Sequence, residues 1–105
     1  SKPQYKDNIE EIRIEGHTDS SGGYIYNMEL SQDRTRSVLA FCLNQITRKD
    51  FEWAKYAITA NGLSSSHPII GRDGKEDADR SRRVEFKIRT NAEKQLEEIA
   101  IKRGK

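Results

Sequence analysis

Two short stretches, residues 11–15 (EIRIE) and 83–89 (RVEFKIR), alternate apolar and charged residues without a break. A period of two puts Ile12 and Ile14, and then Val84, Phe86 and Ile88, on one face of extended backbone with the charges on the other. A chain carrying two such segments has to build a sheet with a single buried face, and something must cover that face. The cover is a helix: Val38, Leu39, Cys42 and Ile46 recur at helical spacing, which predicts a helix from an N-cap at Ser31 to about Thr47. A further strand is predicted over residues 56–60, ended by Asn61 and Gly62. A long polar loop follows over residues 63–81, punctuated by Pro68, Gly71 and Gly74. The RVEFKIR strand is expected at the centre of the sheet. Thr90, with Glu93 three residues later, forms a capping box that opens a final helix with an apolar stripe of Leu96, Ile99 and Ala100. The predicted class is α/β, an α+β sandwich in which helices pack on one face of a small mixed sheet.

At 105 residues the chain makes one domain, 1–105. Hydrophobic residues are 33% and charged ones 34%, so the core comes from a few apolar stripes and the rest is solvated surface. Lys and Arg (19) exceed Asp and Glu (17) by two, which gives no ground for a nucleic-acid partner. No apolar run approaches the roughly 18 residues a membrane helix needs. The single cysteine, Cys42, lies among apolar helix positions and reads as a small buried hydrophobe. A three-stranded sheet leaves an open edge, so a homodimer is a natural option unless the final helix covers that edge.

The stretch EGHTDSSGG, residues 15–23, leads from the end of a strand into a loop that carries a lone carboxylate, Asp19. Gly22 and Gly23 let that loop fold closely around something small. With Ser31 as N-cap, Arg34 falls in the first helical turn, where unpaired N–H groups and the dipole also favour an anion. Asp19 beside Arg34 then suits a zwitterion, its ammonium on the carboxylate and its carboxylate on the guanidinium. A plain Asp19–Arg34 salt bridge that fixes the loop is equally compatible with the spacing. Metal binding is not expected, because His17 and Asp19 have no third ligand at usable spacing and His67 falls in a distant loop. No cofactor motif is present, and without a GxSxG elbow or a paired base no enzyme is expected. Arg82 and Arg83 alternate faces in a strand, so with Arg80 they make no continuous basic stripe; either could support the Asp19 loop. Phe51 and Trp53, just before a strand, read as core and not as a sugar platform.

The chain resembles the OmpA-like peptidoglycan-binding domains of outer-membrane porins, peptidoglycan-associated lipoproteins and flagellar stator subunits. The resemblance rests on IRIEGHTDSSG, on Asn27 followed by Leu30-Ser31 and Arg34, on Val38 and Leu43, on Gly62 with Pro68-Ile69 beyond it, and on RRVEFKI. It implies a β-α-β-α-β fold and noncatalytic binding of peptidoglycan through the meso-diaminopimelate of the stem peptide, gripped by Asp19 and Arg34. Thr18, Asn27 and Leu30 would shape the pocket, and Arg82 or Arg83 would support it. The implied setting is a periplasmic domain that anchors a larger porin, lipoprotein or, by its polar surface and extra final helix, a stator-like subunit to the cell wall. The alternative is an interaction or dimerisation module of the same fold that has lost its ligand. The family's preceding strand and helix have no counterpart in the ten residues before Glu11. Ser81 stands where the family usually has Asn, and Ser64 where a second Gly is common.

Overall fold

The computed structural model describes residues 8–91. In chain order these form β1 (Ile9–His17), α1 (Tyr24–Gln45), α2 (Arg48–Ala57), β2 (Ile58–Gly62), the single turn α3 (Ala78–Ser81) and β3 (Arg83–Thr90). The sheet order is β2-β1-β3, with β1 parallel to β2 and antiparallel to β3. The class is therefore the expected mixed α+β one, but among the described residues the central strand is β1, and RVEFKIR is an outer strand. Alternation reports how many faces of a strand are buried, not how many neighbours it has, so it does not separate a central strand from an outer one. Burial does: Ile14 is fully buried, whereas Phe86 and Ile88 are each 54% exposed.

Register brings the apolar residues onto one face. Ile12 pairs with Ile58 and Ile88, and Ile14 pairs with Ala60 and Phe86. On this face α1 approaches the sheet where side chains vanish. A Cβ at Gly16 would stand 2.7 Å from Thr35 Cγ2 and 2.8 Å from Ser31 O, and one at Gly62 would stand 2.5 Å from the Gln32 backbone nitrogen. Small hydroxyl residues fill the remaining space. Ser31, Thr35, Ser64 and Ser81 are essentially fully buried, alongside the apolar Ile14, Ala54 and Ala57. Their hydroxyls are satisfied locally: Thr35 donates to Ser31 O at 3.1 Å, Ser31 to Met28 O at 3.0 Å, and Ser81 accepts from the Ile69 N–H at 3.0 Å. These buried hydroxyls are tolerated because each keeps a partner.

Several element boundaries differ from expectation. Helix α1 begins at Tyr24 with Gly23 as N-cap, so Ser31 sits two turns inside it. There its hydroxyl accepts from the Ser64 N–H at 3.0 Å and ties helix to loop in place of capping. Helix α2 was not foreseen; it takes up Tyr56, so β2 starts at Ile58 and runs through Asn61 and Gly62. Phe51 and Trp53 are half-buried on α2, and Cys42 is half-buried on α1. The 63–81 loop is braced by an Ile70–Glu76 bridge and by α3, whose N-cap Asp77 accepts from the Arg80 N–H at 3.1 Å. The expected final helix after Asn91 lies outside the described residues. Among the described residues no helix is long and apolar enough to cross a membrane.

Candidate functional site

Strand β1 hands over to the Asp19 loop between two backbone clamps. The Leu63 N–H donates to Gly16 O and the Thr18 N–H donates to Ser64 O, both at 2.9 Å, so the chain after β2 holds the end of β1. Ser64 makes this possible at φ 54°, in the left-handed region that favours glycine. Its side chain compensates by donating to Tyr24 O at 2.7 Å, which fastens the start of α1 to the same point. That backbone angle is the physical reason a glycine suits this position and a serine is accepted only with a partner.

Within the loop, the Asp19 carboxylate accepts from the Ser21 N–H at 3.0 Å and from the Ser21 hydroxyl, an Asx-type turn, and its other oxygen takes the Arg82 guanidinium. Hydrogen bonding from Ser21, followed by Arg82, holds Asp19 below the ordinary carboxylate range. Asp19 in turn raises Arg82, whose other terminal nitrogen bonds Asp79. Asn27 is buried and donates to Ser21 O at 2.9 Å, and the Thr18 hydroxyl donates to Asp19 O at 2.9 Å. Ser20 is held from the far side, its N–H donating to the Glu76 carboxylate at 3.2 Å.

These groups surround an open cavity of about 280 Å³ lined by Thr18, Asp19, Ser21, Gly22, Tyr26, Asn27, Leu30, Arg34 and Arg82. Tyr26, Leu30 and Arg34 are spaced i, i+4, i+8 and so present one stripe of α1 to it. Of the seven residues singled out from sequence, the structure brings Thr18, Asp19, Asn27, Leu30, Arg34 and Arg82 together. Arg83 is not among them. It begins β3 and bonds Glu85, Ser81 O at 3.0 Å and His67 O at 3.3 Å.

Two parts of the electrostatic picture change. The ion-pair partner of Asp19 is Arg82, not Arg34; Arg34 is exposed and has no ion pair among the described residues. Because α1 begins at Tyr24, Arg34 lies about three turns, roughly 15 Å, from the helix N-terminus, so the helix end and Arg34 do not act on the same point. Arg82 lies before β3 as the C-cap of α3, so the alternation of strand faces does not govern it. The sequence reading missed Ser21, Tyr26 and Glu76. An Asp-x-Ser turn and the helical spacing before Leu30 signal the first two, whereas nothing local signals Glu76. His67 is not distant either, since its ring centroid lies 5.8 Å from that of His17, with the planes nearly perpendicular.

Comparison with known proteins places the chain. It is 47% identical to the Zorya protein ZorB of Escherichia coli over 90% of this chain and 44% of that protein. It is 32% identical to the probable lipoprotein YiaD of Escherichia coli over 73% of this chain and 32% of that protein. A photosystem I chlorophyll a apoprotein of Gloeobacter violaceus is 34% identical over 77% of this chain but only 9% of its own length. The chain thus spans less than half the length of each of these relatives. The OmpA family model matches residues 2–82, the stretch that contains β1, α1, β2 and the cavity-lining Arg82, and the chain belongs to the OmpA family.

Proposed function

We propose that this domain binds peptidoglycan without catalysis, through the free amino acid end of meso-diaminopimelate in the stem peptide. In that role it anchors a larger envelope protein to the cell wall from the periplasm. The observation that carries the reading is the unequal state of the two charges across the cavity. Asp19 is ionised and pre-oriented by Ser21 and Arg82, with acceptor capacity left over, while Arg34 opposite has no ion pair among the described residues. An ammonium meets Asp19 and a carboxylate meets Arg34, which forks onto it in bidentate fashion. Thr18 and Asn27 fix the loop, Leu30 and Tyr26 offer apolar contact, and Arg82 holds the carboxylate in place. Family membership supports the wall as partner, and no cofactor has a role in this binding. Retention on purified peptidoglycan sacculi tests the idea, with competition by free diaminopimelate. Retention lost on adding the free amino acid is expected, and a folded protein that passes through unretained would end the assignment.

A second reading, a self-association or partner-docking module of the same fold, is favoured by one observation. β3 is an outer strand whose Phe86 and Ile88 are each about half exposed. The two readings are compatible, since the cavity lies at the His17 end of β1 and is not built from these side chains.

The identity of the whole protein follows the same reasoning. A porin, a lipoprotein or a stator-like subunit each need such a wall anchor, and the polar surface of this chain suits the stator-like case.

A further inference from the structure

The face of the sheet opposite α1 carries a second cluster. Alternation along β1 puts Glu15 and His17 on this face, and register sets Glu85 of β3 directly across from Glu15. One ligand atom from each of the three lies within 4.8 Å of the others. Two carboxylates directly opposed across strands repel, and here Arg13 at 3.3 Å from Glu15, Lys87 at 3.0 Å from Glu85, and Arg83 offset that. An ion-pair network alone accounts for the carboxylates but not for His17. Its side chain is 3% exposed, and both ring nitrogens lack a hydrogen-bond partner among the described residues. The nearest carboxylate oxygen, Glu15 Oε1, is 3.8 Å from Nε2, beyond hydrogen-bonding reach. A buried imidazole with two unused nitrogens needs an explanation, and a metal ion among the three side chains supplies one.

We infer that Glu15, His17 and Glu85 form a site for one divalent transition cation of the zinc type. One imidazole and two carboxylates are a donor set that zinc and cobalt accept, with a fourth position left over. The His67 ring lies 5.8 Å from that of His17 and is not one of the three. Glu15 has one ion-paired oxygen and Glu85 has one cationic partner on each oxygen, so acceptor capacity remains on both. Burial and the nearby Arg83 disfavour the protonated imidazole, the form that could not ligate a metal. The three cationic side chains oppose the ion, so the site is of moderate affinity. An ion there staples β1 to β3 at the end of the sheet from which Asp19 emerges, two residues beyond His17.

The test uses the full chain stripped with a chelator and titrated with Zn²⁺ by calorimetry and with Co²⁺ by visible absorbance. One equivalent should bind with a Kd of about 10 µM or tighter, and the His17 ring signals in NMR should shift with that equivalent. His17→Gln and Glu85→Gln should each weaken binding at least about tenfold. Lys87→Gln, which removes an opposing charge at an exposed position, should tighten it severalfold. If His17→Gln does not fold, Glu85→Gln and the ring signals of the unaltered protein decide. Absence of saturable binding, or binding that leaves the His17 signals unmoved, would overturn the inference.

Discussion

Asp19 offers about four acceptor positions on its two oxygens, and the fold engages three of them, two from Ser21 and one from Arg82. The fourth is what a ligand ammonium needs. Asp19→Asn keeps the shape but removes the anion, and Arg34→Ala removes the fork. Each is expected to weaken diaminopimelate binding by about 30-fold or more in calorimetry. Arg34→Lys should recover only part of the loss, because a point charge does not fork onto a carboxylate. Arg34→Ala should leave the melting temperature unchanged, since Arg34 has no ion pair to lose among the described residues. The pH dependence has a definite sign. The folded pKa of Asp19 is depressed below its ordinary 3.8, so its contribution is complete above that value and is lost as pH falls through the lower folded one. Affinity should therefore stay level from neutral pH down to about pH 4, as titrations at stepped pH would show. Ser64 gives an independent test. Ser64→Ala keeps the left-handed strain and loses the hydroxyl bond that ties the loop to Tyr24 O, at a cost of about 0.5–1.5 kcal/mol, whereas in Ser64→Gly relief of the strain offsets the lost bond. Denaturant melts should rank glycine above alanine.

At the scale of elements, the contact of α1 with the sheet is set by two glycines. Gly62→Ala pushes a methyl group into the Gln32 backbone, which a side-chain rotation cannot relieve, and a loss of about 2–3 kcal/mol is expected in denaturant melts. The same contact explains which elements sequence disclosed. β1 and β3 were legible because each has one apolar face, and Ile12, Ile14, Val84, Phe86 and Ile88 mark it in period two. The second half of α1 was legible from Val38, Leu39, Cys42 and Ile46. Its first half was not, because the face that meets the sheet there is made of Asn27, Ser31 and Thr35, polar residues that close packing against glycine requires and that read as loop or cap. The short α2 was hidden for a related reason: its buried residues are only Ala54 and Ala57. Among the cavity-lining residues, Asp19, Arg34 and Asn27 stand in a contiguous motif and could be seen. Arg82 and Arg83 could not be told apart, because the choice depends on α3, a single turn stabilised by the Asp77 cap within a stretch that otherwise reads as loop.

For the molecule as a whole, β2 and β3 are the two outer strands of the sheet among the described residues. Phe86 and Ile88 share the apolar face with Ile12 and Ile14, yet they lie beyond the part that α1 covers. If they mediate self-association, light scattering on the full chain should show mass rising with concentration, and Phe86→Asp should return it to the monomer without loss of the fold. A constant monomer mass in both would remove self-association from the account. The register also fixes where the ends of the sheet lie. Ile9 pairs with Thr90 at one end of β1, and His17 pairs with Arg83 at the other, where the cavity opens. The nine residues of β1, at about 3.3 Å each, therefore form a strut of roughly 30 Å between the cavity and the Ile9–Thr90 pair. If the cavity holds the wall as proposed, a pull applied at the Ile9–Thr90 end runs lengthwise through β1. The ladders on both flanks then resist as many bonds loaded in shear together, and not one after another.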